Sequence, residues 1–104
     1  DANFDMSAIE TENVSRRGTH RVGKMHDVSR QELCRQFGEP EKFGPKTTYN
    51  WNIRFPDGSV AVIYDYRRRN RSVPKDKPTD WSIGGRSEEA VEFLGYLGFD
   101  VSYR

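Results

Sequence analysis

The sequence predicts an α+β domain in which an antiparallel β-sheet of three to four strands carries two helices packed on one face. Three observations predict it. Tyr49, Trp51, Ile53 and Phe55 alternate with Asn50, Asn52 and Arg54, a period of two that lays one apolar row along one face of a strand. After Pro56-Asp57-Gly58-Ser59, the run Val60-Ala61-Val62-Ile63-Tyr64 is apolar throughout, as befits a strand covered on both faces. The segments flanking this hairpin carry helix-start and helix-stop chemistry instead of alternation.

Taken in order, residues 1–14 hold Asp1, Asp5, Glu10 and Glu12, no basic residue and only scattered apolar side chains, which predicts a flexible acidic tail ahead of a single domain over residues 15–104. Thr19 to Met25 is expected as a short strand interrupted by Gly23. Ser29 and Glu32 form a capping-box pattern, Val28 and Leu33 are placed as its hydrophobic staple, and Gly38 followed by Pro40 stops the chain, so a helix is expected from Arg30 to Phe37. Glu39 to Lys46 connects it to the hairpin.

The hairpin admits two registers. A two-residue turn at Asp57-Gly58 sets Phe55 against Val60, Ile53 against Val62 and Trp51 against Tyr64, the arrangement that the buried pattern favours. Pro56 in the first turn position, with Gly58 as a left-handed bulge, sets Trp51 against Ile63 and puts Tyr64 and Tyr66 on the face opposite Trp51. Beyond it, Asp80 to Ile83 reads as a third strand, with Val60 to Tyr66 expected at the centre of the sheet. Ser87 is the expected N-cap of a helix whose stripe is Ala90, Val91, Leu94 and Leu97, and Phe99, Val101 and Tyr103 alternate as an edge strand.

Composition narrows the function classes. A chain of 104 residues builds one core. With 17 basic and 16 acidic residues it is nearly neutral overall. The lone Cys34 and the absence of an apolar run of about 18 residues lead us to expect a cytoplasmic protein without a membrane span. His20, His26 and Cys34 match no zinc spacing, so no metal and no cofactor are expected. Asp65 has no carboxylate or histidine placed to work with it, and is expected to bond a neighbouring strand or an arginine of the basic loop rather than to catalyse; no enzyme is expected.

Local charge is uneven, and two stretches stand out. Arg67, Arg68, Arg69, Arg71, Lys75 and Lys77 crowd behind Tyr64 and Tyr66, a set able to dock on a partner protein or to pair with nucleic-acid phosphates. Gly84-Gly85-Arg86-Ser87 at a strand-to-helix junction offers backbone N–H groups and a guanidinium to an anion, though without the spacing of a phosphate-binding loop.

The helix, then Phe37-Gly38-Glu39-Pro40, then a Trp-bearing hairpin resembles the opening half of domains typified by β-lactamase inhibitor protein and the SmpA lipoprotein. Trp51-Asn52-Ile53-Arg54-Phe55, Asp57-Gly58, Ile63-Tyr64-Asp65-Tyr66 and Trp81-Ser82-Ile83-Gly84-Gly85 resemble a pattern of small, functionally unassigned bacteriophage proteins. That resemblance transfers no catalytic residue. It implies a phage-encoded binding protein that inhibits or redirects a host or defence machine, with direct RNA or DNA binding through the loop at 67–77 as the alternative.

Overall fold

A computed structural model describes residues 8–41 and 46–104. The first half of the expected tail and the middle of the connection at 42–45 lie outside the described residues. The architecture is α+β, with five antiparallel strands rather than three to four, and two helices. In chain order these are β1 (His20–Val28), α1 (Arg30–Phe37), β2 (Asn50–Arg54), β3 (Val60–Tyr64), β4 (Thr79–Gly85), α2 (Glu89–Tyr96) and β5 (Asp100–Tyr103). The sheet order is β2-β3-β4-β1-β5, so β3 pairs with β2 and β4 as expected, but β4 takes the middle. The extra width comes from β1, which bonds β4 on one side and β5 on the other.

β1 runs on through Gly23, with its register shifted by a bulge between Arg21 and Gly23. A Cβ at Gly23 would sit 2.4 Å from the Ser102 carbonyl oxygen and 2.7 Å from Val91, so glycine is what lets α2 and β5 close onto the strand. The same logic holds at Gly85, where a Cβ would meet the Ala90 methyl at 2.5 Å.

The hairpin takes the bulged register, which corrects the expected one: Trp51 faces Ile63, Ile53 faces Ala61 and Arg54 faces Val60. The turn decides it. Gly58 is left-handed (φ 92°), its amide donates to Phe55 O, and Phe55 N bonds Ser59 O at 2.8 Å, closing a three-residue loop. The face bearing Trp51, Ile53, Ala61, Ile63, Trp81, Ile83 and Met25 packs under Leu33 and Phe37 of α1 and Ala90, Val91 and Leu94 of α2. Val60 and Val62 point the other way, into a small cluster with Val14 and Tyr64.

Within the stretch expected as a tail, Ile9 joins the main core and Val14 joins this second cluster. Ile9 and Val14 are buried, the backbones of Glu10 and Arg54 exchange hydrogen bonds at 2.9 Å, their side chains form an ion pair, and Asn52 donates to Val14 O. An acidic stretch with isolated apolar residues is therefore laid along the outer edge of β2.

Helix α1 follows its sequence signals to the residue. Ser29 Oγ accepts from the Glu32 amide at 3.1 Å, and Gly38 (φ 85°) ends the helix by donating to Cys34 O. The reciprocal half of the box is not formed, because the Glu32 carboxylate pairs with Arg35 at 2.8 Å. Ser29→Ala is thus expected to cost about 1 kcal/mol through the one cap bond; an unchanged urea midpoint would show that this bond contributes nothing. Among the described residues no helix is long and apolar enough to cross a membrane.

Candidate functional site

The sheet face turned away from the helices carries the candidate site. Its rows follow from register: Asn52, Val62, Gly84 and Arg21 lie side by side, as do Asn50, Tyr64, Ser82, Lys24 and Ser102. Arg21 and Lys24 of β1 therefore stand on the same face as Tyr64, and the segment leaving β3 folds back beside them.

That segment is the arginine-rich loop, and it is built rather than loose. Asp65, 1% exposed, accepts from the Thr48 and Tyr49 amides at 2.8 and 2.9 Å, so the carboxylate bonds a neighbouring strand's lead-in, as its sequence setting suggests. Tyr66 to Arg68 make a single 3₁₀ turn, with Arg67 and Arg68 both left-handed at φ 55° and 58°. Buried Asn70 then pins the loop, donating to Asp80 O at 2.9 Å and accepting from the Thr79 hydroxyl at 3.1 Å.

The Tyr66 ring is the hub of the charge. Arg67, Arg21 and Arg69 place their guanidinium carbons 5.1, 5.6 and 6.0 Å from its centre, within cation–π range. Between the loop and the sheet runs a cleft of about 320 Å³ bordered by Arg21, Lys24, Arg69, Asn70, Tyr66 and Ser82. Two atoms of opposite sign near it, Arg21 Nε and Asp65 Oδ2, are buried without a hydrogen-bond partner among the described residues. Tyr64 stands beside Arg21; burial pushes its phenol up, opposed by the Arg21 charge and by a hydrogen bond from Ser82.

The expected site residues do not all converge. Arg67, Arg68 and Arg69 are exposed and cluster at Tyr66, with Arg71 one turn further on. Lys75 and Lys77 are exposed too but lie toward α1, where the Lys75 carbonyl accepts from the Gln31 amide. Arg21 and Lys24 were missing from the sequence reading, as was Arg16, which borders a second hollow with Thr19, His20, Arg21, Tyr64 and Gly84. A strand bulge between Arg21 and Gly23 hides them by breaking the alternation that would have assigned their face.

At the strand-to-helix junction the groups expected for an anion are already engaged. Gly84 and Gly85 are buried inside β4, Arg86 Nε donates to Arg17 O at 3.1 Å, and Ser87 Oγ accepts from the Glu89 amide at 3.3 Å. Glu88, Glu89 and Glu92 crowd the start of α2 and oppose an incoming negative charge. Burial and the neighbouring Glu39 carboxylate push the Cys34 thiol up, and its Sγ donates to Glu39 at 3.6 Å, an inert setting for a thiol. Among the described residues no group of three His, Cys, Asp or Glu side chains could hold a metal ion.

In the phage-like pattern, Trp51, Ile53, Phe55, Ile63, Trp81 and Ile83 fill the core, Gly58 makes the turn and Gly85 the close approach to α2. Of the same pattern, Asn52, Tyr64, Ser82 and Gly84 lie on the basic face of the sheet and Tyr66 borders its cleft, so the apolar residues specify the fold and the polar ones meet the site. Set against known proteins, the chain matches no family model, no curated protein and no solved structure.

Proposed function

We propose that this chain is a non-enzymatic binding protein that docks its arginine-rich face on a larger protein machine and inhibits or redirects it, in the manner of small phage-encoded proteins acting on a host or defence system. The observation that supports this best is the prebuilt arginine ridge. Two consecutive non-glycine residues, Arg67 and Arg68, are left-handed, a conformation that costs energy and persists only where the surroundings enforce it. Asp65 and Asn70 supply that enforcement from either side. A ridge ordered before binding loses little entropy on docking, which is how an arginine becomes a strong interface anchor.

A second reading, RNA or DNA binding, is favoured by Arg21 and Lys24, which widen the positive surface from a loop to a face. The protein reading leads because guanidinium groups crowd the Tyr66 ring and the half-buried Tyr64 packs against the cluster of Val14, Val60 and Val62, which leaves neither ring free as a stacking platform.

The test is a pull-down from bacterial lysate with and without nuclease, followed by titration of Arg67→Ala, Arg68→Ala, Arg69→Ala and Arg71→Ala at two salt concentrations. For a docked protein, one or two substitutions are expected to cost more than about 2 kcal/mol and to do so in high salt as well. Equal small losses that vanish in salt, with capture abolished by nuclease, would transfer the site to nucleic acid. If no substitution weakens capture, the arginine ridge is not the docking surface.

A further inference from the structure

We infer that β5 is a self-association edge, along which two copies of this chain pair as antiparallel neighbours and join their sheets. The two edges of the sheet are finished differently. On the β2 side, Glu10 bonds Arg54 and Glu41 bonds Asn50, each through a reciprocal pair of backbone hydrogen bonds of 2.8–3.1 Å, so that edge is closed at both ends. β5 has β1 on one side, and no described segment pairs with the other.

The direction of its outward groups follows from two contacts. The Arg104 amide donates inward to Val22 O at 2.9 Å, and the Ser102 carbonyl points inward at Gly23. Neighbouring residues of a strand aim their N–H and C=O at opposite sides, so Val101 and Tyr103 present theirs outward. A twofold axis through Ser102 then opposes Val101 to Tyr103 of the second copy, and each pair exchanges an N–H···O bond in both directions.

The same axis sets Asp100 of each copy against Arg104 of the other. Backbone register and charge thus agree on one alignment, and moving the axis by a single residue breaks both ion pairs. The side chains point the same way. Tyr103, 53% exposed, and Tyr96 are the large hydrophobic residues left exposed among the described residues, and both stand beside Glu92 or one another at this end of the sheet. In the pair, Tyr103 covers Val101 of the other copy, next to Gly95, where a Cβ would come within 3.3 Å of Val101. β5 pairs with β1 without a bulge and contains no proline, so it lacks two of the usual devices that blunt an edge.

Such an axis stands perpendicular to the joined sheet, so both arginine faces look the same way and the pair is bivalent for any partner that they bind. The interface is short, which makes the association weak and concentration-dependent.

Sedimentation velocity on the whole chain over roughly a hundredfold range of concentration tests this. The mean mass is expected to rise from the 12.1 kDa of one chain toward twice that value. Asp100→Arg should hold it at the single-chain mass with an unchanged circular dichroism spectrum, and adding Arg104→Asp should restore association by exchanging the charges. Wild-type protein that stays at the single-chain mass throughout, association that survives Asp100→Arg, or a double variant that fails to recover would each overturn the inference. None of these readouts depends on the partner of the arginine face.

Discussion

Trp81→Ala is expected to destabilise the domain by about 3–5 kcal/mol, a large share of the roughly 5–15 kcal/mol that holds a domain of this kind together. The side chain is 2% exposed, and its ring meets Trp51 edge-on with centroids 5.3 Å apart and planes at 82°. Its indole N–H donates to Val28 O at 2.8 Å, at the residue before the cap of α1, while the Trp51 indole donates to Gly38 O at 2.8 Å, at the stop of the same helix. The two indoles clamp both ends of an eight-residue helix that is too short to persist by itself. Trp81→Phe separates the two contributions: it keeps most of the apolar body but leaves a buried carbonyl unpaired, for about 1–3 kcal/mol. Urea unfolding of the three proteins checks this, and equal midpoints for wild type and Trp81→Ala would mean that the ring does not pack as described.

The contrast between α1 and the hairpin shows where sequence carries its information. Every signal for α1 is local: a hydroxyl before the first turn, a glycine after the last, apolar residues four apart. Its limits could be read directly, and they agree with the structure. The hairpin register is a different problem, because Val60, Ala61, Val62 and Ile63 are apolar on both faces and a one-residue slip costs no pattern. The turn alone decides it, through Pro56 and left-handed Gly58. Ile9 and Val14 were equally opaque, since what buries them is β2 and β3, tens of residues away.

The candidate site divides along the same line. Its arginine loop is legible because Arg67 to Arg71 are neighbours in sequence, whereas Arg21 and Lys24 join it only through the pairing of β1 with β4. A bulge beside Gly23 removes the alternation that could have placed them. Lys75 and Lys77 err in the opposite direction. They are adjacent to the arginines in sequence, but Asn70 turns the chain and sends them toward α1.

Asp65→Ala is expected to cost about 3 kcal/mol, and to act on the site as well as on the fold. One buried carboxylate oxygen takes two backbone amides, Thr48 and Tyr49, in charge-assisted bonds of about 1.5 kcal/mol or more each. The Asp65 carbonyl accepts from the Arg68 amide at 3.1 Å, so the same residue starts the turn that holds Arg67 and Arg68 left-handed. Asp65→Asn retains an acceptor for the amides and should lose less than half as much. Hydrogen exchange gives the sharper measurement: the Thr48 and Tyr49 amides should lose protection in Asp65→Ala well before the amides of β4, because that strand is held from both sides. Uniform loss across all strands would mean that Asp65 stabilises the whole domain rather than this junction. Retained protection at Thr48 and Tyr49 would show that the carboxylate is not their partner, and would leave the arginine ridge without its anchor.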